Sequence, residues 1–172
     1  EGEIVEIIGP AGDNETEMGT IMFEHKIQYD FPEAVKKEAK EIAKRAIPTE
    51  EIAKRKDFRN VLTFTIDPET AKDFDDALSY QVLPNGKIEL GVQIADVSYF
   101  VRHGSAIDTE AKERATSVYL VDRTIPMLPE VLSNGLCSLV PNQDRLTFSA
   151  VFTLDRSGKI HDKWFGKTII HS

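Results

Sequence analysis

Residues 77–101 read "ALSYQVLPNGKIELGVQIADVSYFV". Apolar and polar side chains alternate on both sides of Asn85-Gly86, and Asn-Gly is the dipeptide that most readily supplies a tight turn between antiparallel strands. The stretch therefore predicts two strands paired as a hairpin, and a hairpin needs further strands or a helix before it is stable. The neighbouring sequence offers both. Upstream, "VLTFTI" (61–66) is β-branched and aromatic, as strands are. Downstream, "SVYLV" (117–121) is read as an extension of the sheet, and "RLTFSAVFTLDRSGKIHDKWFGKTII" (145–170) as a second hairpin turned at Ser157-Gly158.

Helical text lies at the margins. Between Asn14 and Lys26, Met18, Ile21, Met22 and His25 recur at helical spacing behind a capping Asp13-Asn14. "FPEAVKKEAKEIAKRAIP" (31–48) puts Pro32 in a first turn, Val35, Ala39, Ile42, Ala43 and Ala46 on one face, and Pro48 as terminator. "TEAKERA" (109–115) is a shorter helix capped by Ser105 or Asp108, and "IPMLPEVLSNGLCSLVP" (125–141) reads as loop, one or two helical turns, and loop. "EIVEII" (3–8) alternates like a strand and breaks at Gly9-Pro10. The fold class expected is mixed α/β of the α+β kind: a mainly antiparallel sheet with flanking helices.

Composition narrows the function. With 21 Lys and Arg against 29 Asp and Glu, the formal charge of -8 repels nucleic acid and anionic membrane, so contact with a polyanion has to be local or assisted by cations. One cysteine, Cys137, excludes an internal disulfide and a cysteine-based zinc site, and fits a reducing, cytoplasmic setting. No apolar stretch approaches the ~20 residues of a membrane span. The chain opens at Glu1 rather than Met, which is read as a piece of something longer.

Against this background "TIDPETAKDFDDALSY" (65–80) gathers Asp67, Glu69, Asp73, Asp75 and Asp76 between two strands. In extended chain Asp73 and Asp75 share a face, and in a turn Asp73 and Asp76 approach each other; either geometry collects two carboxylates beside Asp67. Two such charges about 4 Å apart repel by about 4 kcal/mol at an effective dielectric near 20. Lys72 alone does not neutralise them. A calcium loop is disfavoured because "DFDDAL" lacks the turn glycine and the closing glutamate, and a D-x-D aspartyl-phosphate motif is disfavoured by Glu69. On spacing alone a solvated acidic loop and a magnesium site both remain open, although Phe74 and Ala77-Leu78 tie the loop to a core.

Five blocks, "IDPETAKDFDDALSY", "GVQIADVSYFV", "ATSVYL", "IPMLPEVLSNGLCSL" and "DRLTFSAVFTLDRSGKI", together resemble the catalytic (RNB) domain of the ribonuclease II family, most closely its ribonuclease R branch. The resemblance runs from about Arg59 onward. It implies residues 1–8 as the last strand of a cold-shock (OB-type) domain, 9–58 as a helical connection, and 59–172 as the N-terminal part of the catalytic domain. It implies a processive 3′-to-5′ exoribonuclease that releases nucleoside 5′-monophosphates with Mg2+ as cofactor. The catalytic residues implied are Asp67, Asp73, Asp75 and Asp76, with Asp67, Asp73 and Asp76 as metal ligands and Asp75 at the metal-bound 3′ end. Tyr119 falls on a tyrosine that binds RNA near the last nucleotides. The partners implied are single-stranded RNA or RNA with a 3′ overhang, and RNA-decay machinery or ribosomes, for a cytoplasmic monomer. The family's further active-site segment is absent, so the isolated chain is expected to be inactive. A non-catalytic, metal-stabilised RNA-binding or structural module is the alternative.

Other residues carry less. Lys36, Lys37, Lys40, Lys44 and Arg45 read as a solvated helix face, and His25, His103 and His161 lack partners at ligand spacing. Asp96 reads as a loop brace, Cys137 as a small buried residue, and Arg123, Arg145 and Lys167 as unspecific basic positions.

Overall fold

The structure, a computed structural model, describes residues 3–4 and 7–172. Among the described residues five helices and eight strands follow in chain order: α1 (Asn14–Glu24), α2 (Glu33–Ala43), α3 (Thr49–Ala53), β1 (Lys56–Asp57), β2 (Leu62–Phe64), β3 (Asp76–Val82), β4 (Ile88–Ala95), α4 (Val97–Phe100), α5 (Ala106–Arg114), β5 (Val118–Tyr119), β6 (Thr124–Ile125), a π-helical turn (Val131–Leu136), β7 (Asp144–Leu154) and β8 (Ile160–His171). The main sheet has six strands in the order β1-β8-β7-β4-β3-β2, antiparallel except for the β1–β8 pair. The fold is thus mixed, with an antiparallel-dominated sheet, as the sequence implies.

Both hairpins turn in the same way. In the first, Gly86 N–H donates to the Leu83 carbonyl (2.9 Å), so Pro84 and Asn85 are the central pair and Gly86 takes the left-handed position at φ 76°. In the second, Gly158 N–H donates to the Asp155 carbonyl (3.0 Å) and Gly158 has φ 84°. Glycine adopts such angles without steric cost.

Several elements depart from expectation. Residues 117–121 do not extend the sheet: the chain turns back at once, with Leu120 N–H donating to the Arg123 carbonyl (2.8 Å), and Val118–Tyr119 pairs with Thr124–Ile125 as a separate two-stranded ribbon. Pro48 does not end α2, which stops at Ala43; it stands at the N-cap of α3, where its missing N–H costs nothing. Of the strand read over 3–8, Val5 and Glu6 lie outside the described residues, and Glu3, Ile4, Ile7 and Ile8 carry no strand.

Cross-strand partners share a face, so the register defines two surfaces. On one, Ser79, Gly91, Gln93, Thr147, Ser149 and Thr168 are buried beside Ala77, Ala95 and Val151. The helices contribute Val35, Ala39 and Ile42 of α2, Phe100, Ile107, and Leu132 of the π-helical turn to the same core. Gln93 satisfies this polar face: its Nε2 donates to Ser79 Oγ (2.8 Å), and its Oε1 accepts from Ser149 and from Thr168 Oγ1 (3.1 Å). Gly91 is required there, since a Cβ would run into Ser79 Oγ and come within 2.6 Å of Gln93 Nε2. On the opposite surface Leu62, Phe64, Tyr80, Val82, Ile94, Phe148 and Phe165 are exposed.

One buried ion pair closes the β1 end. Arg55 and Asp96, with side chains 0% and 2% exposed, meet at 2.6 Å. Arg55 also donates to the Thr147 and Thr168 carbonyls (3.2 and 3.3 Å) and to Glu51 (2.8 Å). Burial pushes the Asp96 carboxyl up, but the Ser98 hydroxyl and the Arg55 guanidinium outweigh it and hold it below the ordinary carboxylate range. Asp96 therefore does brace a loop, and Lys167 (3.4 Å) shares the same carboxylate.

Removing one partner of such a pair leaves a buried charge. Asp96→Asn is expected to destabilise the chain by about 3 kcal/mol, read by urea denaturation at neutral pH. Because the folded carboxyl is depressed, the difference between parent and variant should shrink as pH falls from about 4 through the folded value.

Candidate metal and RNA site

The chain leaves β2 at Phe64 and re-enters the sheet at Asp76, so the acidic segment spans a gap at one end of the sheet. Ala71 N–H donates to the Pro68 carbonyl (2.9 Å), which turns "DPETA" back on itself. From Lys72 to Asp75 the backbone is fixed by distant elements. Ser138 Oγ donates to the Lys72 carbonyl (2.8 Å) and accepts from Phe74 N–H (3.0 Å). Leu139 N–H donates to the Phe74 carbonyl (2.8 Å), and Ala95 N–H to the Asp75 carbonyl (3.0 Å). The Phe74 ring packs against the core, which turns the flanking carboxylates away from it.

Asp67, Asp75 and Asp76 are exposed and Asp73 is half-buried. Among the described residues none of these four carboxylates makes an ion pair. Partial shelter by the surrounding chain, followed by the charges of Asp73, Asp76 and Asp67, raises the Asp75 carboxyl above the ordinary carboxylate value. The four groups therefore share one uncompensated negative field. Among the described residues no three His, Cys, Asp or Glu side chains converge at ligand distance. Hard oxygen donors in a negative field nonetheless fit Mg2+, which takes few protein ligands and completes its shell with water and phosphate.

Tyr119, on the small ribbon, reaches this loop. Its phenol donates to Asp73 Oδ2 at 3.0 Å while the residue remains 68% exposed. The bond to Asp73 raises the phenol's pKa. Between ribbon and loop runs a polar groove of about 720 Å³ lined by Lys72, Asp73, Thr70, Arg123, Ser133 and Asn134. The ribbon tip is fastened to α1, where Arg123 forks onto Glu15 (2.7 and 2.9 Å) and Asn14 Nδ2 donates to Asp122 (2.9 Å).

The sequence of residues 55–172 matches the family described as RNB domain. The chain belongs to the RNB family. Residues 1–32 match the family described as Cold shock domain. Among relatives of this RNB chain, DIS3-like exonuclease 2 of Xenopus tropicalis is 51% identical over 173 residues, covering 100% of this chain and 21% of that protein. Ribonuclease R of Thermotoga maritima is 47% identical over 162 residues, covering 93% of this chain and 23% of that protein. The structure of Mycoplasma genitalium RNase R in complex with ribose methylated single-stranded RNA is similar at a TM-score of 0.86 and 35% identity, over 96% of this chain and 26% of that chain. The chain thus spans about a fifth to a quarter of the length of these RNB relatives.

Arg145 Nε donates to the Ser138 carbonyl (2.7 Å), and His25, His103 and His161 are exposed. Burial pushes the Cys137 thiol up to about 12. Ser138 and Leu139, which hold the loop, carry no local signal of that role: their partners are some 64 positions away. Among the described residues no helix is long and apolar enough to cross a membrane.

The raised Asp75 carboxyl has a consequence for stability. Its ionised form is disfavoured in the folded chain, so the penalty is present above the folded pKa and disappears as the group protonates. Asp75→Asn is expected to raise the melting temperature in chelator at pH 7. That gain should vanish as pH is lowered below about 4, which thermal unfolding across pH checks.

Proposed function

We propose that the full-length protein is a magnesium-dependent, processive 3′-to-5′ exoribonuclease that releases nucleoside 5′-monophosphates, and that this chain supplies its metal-binding carboxylates. The observation that carries the reading is the set of four aspartates that make no ion pair among the described residues, in a chain of the RNB family whose backbone from Lys72 to Asp75 is fixed by hydrogen bonds. A bound divalent cation supplies an acidified water and neutralises charge on a phosphodiester. Asp67, Asp73 and Asp76 would hold it, and Asp75 would sit against the metal-bound 3′ end. Tyr119 offers an exposed ring to a terminal base or sugar while its hydroxyl holds Asp73. The segments proposed are 1–8 as the end of a cold-shock domain, 9–58 as connection and 59–172 as part of the catalytic domain.

RNA with a single-stranded 3′ end is the substrate proposed. The net charge of -8 means that the phosphates approach this surface through the cation and the groove's Lys72, not through bulk attraction. A cytoplasmic, monomeric protein working beside ribosomes or decay machinery belongs to the same proposal.

The full-length protein with a 3′-overhang RNA and Mg2+ tests this reading. Asp75→Asn is expected to abolish nucleotide release while RNA binding in a gel-shift assay stays within about twofold of the parent. Unchanged turnover in that variant overturns the active-site assignment, whereas no release by the parent at any Mg2+ concentration points instead to a non-catalytic, metal-stabilised module. The isolated 172 residues are expected to leave RNA intact, and release by them would contradict the account.

A further inference from the structure

Asp73 differs from the other three aspartates in that the peptide groups on both sides of it are fixed by a single side chain. Ser138 Oγ donates to the Lys72 carbonyl at 2.8 Å and accepts from Phe74 N–H at 3.0 Å. Ser138 is 0% exposed, so water does not compete for either bond. The serine is itself held from β7, because Arg145 Nε donates to its carbonyl at 2.7 Å and Arg145 Nη2 to Gln143 Oε1 at 2.7 Å. Leu139 N–H fixes the Phe74 carbonyl at 2.8 Å, one peptide farther on. The far side of Asp73 is held only at the surface, through Tyr119.

We infer that Ser138 is a positioning residue for the divalent-cation site, setting the place of the Asp73 carboxylate through the two peptides that flank it. This rests on the reading of Asp67, Asp73 and Asp76 as the cation's ligands. Without the hydroxyl, the Lys72 carbonyl and Phe74 N–H lose their partner and the backbone angles of Asp73 are released. The neighbouring aspartates then drive its carboxylate outward, since like charges at short range separate when nothing opposes them. Ligand-supporting groups of this kind are worth about 10- to 100-fold in metal affinity.

The test is titration of the full-length protein with Mn2+ alone, followed by electron paramagnetic resonance of the free ion, with melting temperatures recorded beside it. Ser138→Ala is expected to weaken Mn2+ binding by about 10- to 100-fold. Ser138→Cys fills the same space with a weak hydrogen-bonding group and should also lose affinity, which decides the matter if the alanine variant does not fold. Ser149→Ala removes an equally buried serine hydroxyl from the Gln93 network, away from the acidic loop, and should lower the melting temperature while leaving Mn2+ affinity at the parent value. Parent-like affinity in either Ser138 variant that folds overturns the inference, as does an equal loss in Ser149→Ala. Asp73→Asn separates the two levels: if it keeps full Mn2+ affinity the cation reading itself fails, whereas loss there with none at Ser138 overturns only the positioning role.

Discussion

Mutual repulsion among Asp67, Asp73, Asp75 and Asp76 is the constraint around which this end of the molecule is organised. Their charges act on one another strongly enough to raise the Asp75 carboxyl, after its partial shelter by the surrounding chain. Ion pairing is not the remedy among the described residues. The remedy is mechanical: the backbone from Lys72 to Asp75 is bonded to Ser138, Leu139 and Ala95, and the half-buried Phe74 packs against the core between the charges. A backbone held in this way limits how far these carboxylates can separate, so part of the ordering cost of binding a cation would be met in folding rather than at the moment of binding.

The rest of the sheet serves the same end. Segment 138–139 is reached from β7 through Arg145, and Ala95 leads directly into Asp96, whose pairing with Arg55 locks β4 to the β7 and β8 carbonyls. The polar face built on Gln93 keeps β3, β4, β7 and β8 in one register, because a slip of one residue would remove every one of its partners. Meanwhile the apolar residues on the opposite face, from Leu62 to Phe165, lie open. The sheet thus carries its polar side chains inward and much of its apolar surface outward, the reverse of an isolated antiparallel sheet.

Both hairpins were legible in the sequence because their signals are local: alternation with period two, and Asn85-Gly86 and Ser157-Gly158 at the turns. The amphipathic α2 was legible for the same reason. The assignment of "SVYLV" to the main sheet failed because β-propensity does not say which strand will be the partner, and the tight return at Arg123 supplied a nearer one. The parallel β1–β8 pair spans the chain from Lys56 to Thr168 and has no local mark. At the candidate site the aspartates announce themselves by density, and Tyr119 by its place in a family block. Ser138, Arg145 and Arg55 act through contacts across 7 to 113 positions, and an ordinary serine or arginine carries no sign of them in one sequence.

The central claim is that these aspartates form one divalent-cation site. Anomalous diffraction from crystals of the full-length protein soaked in Mn2+ tests it most directly. The account predicts a manganese peak at about 2.1 Å from carboxylate oxygens of Asp67, Asp73 and Asp76. A crystal saturated with Mn2+ that shows no peak at this loop, or places the ion on other residues, would contradict it.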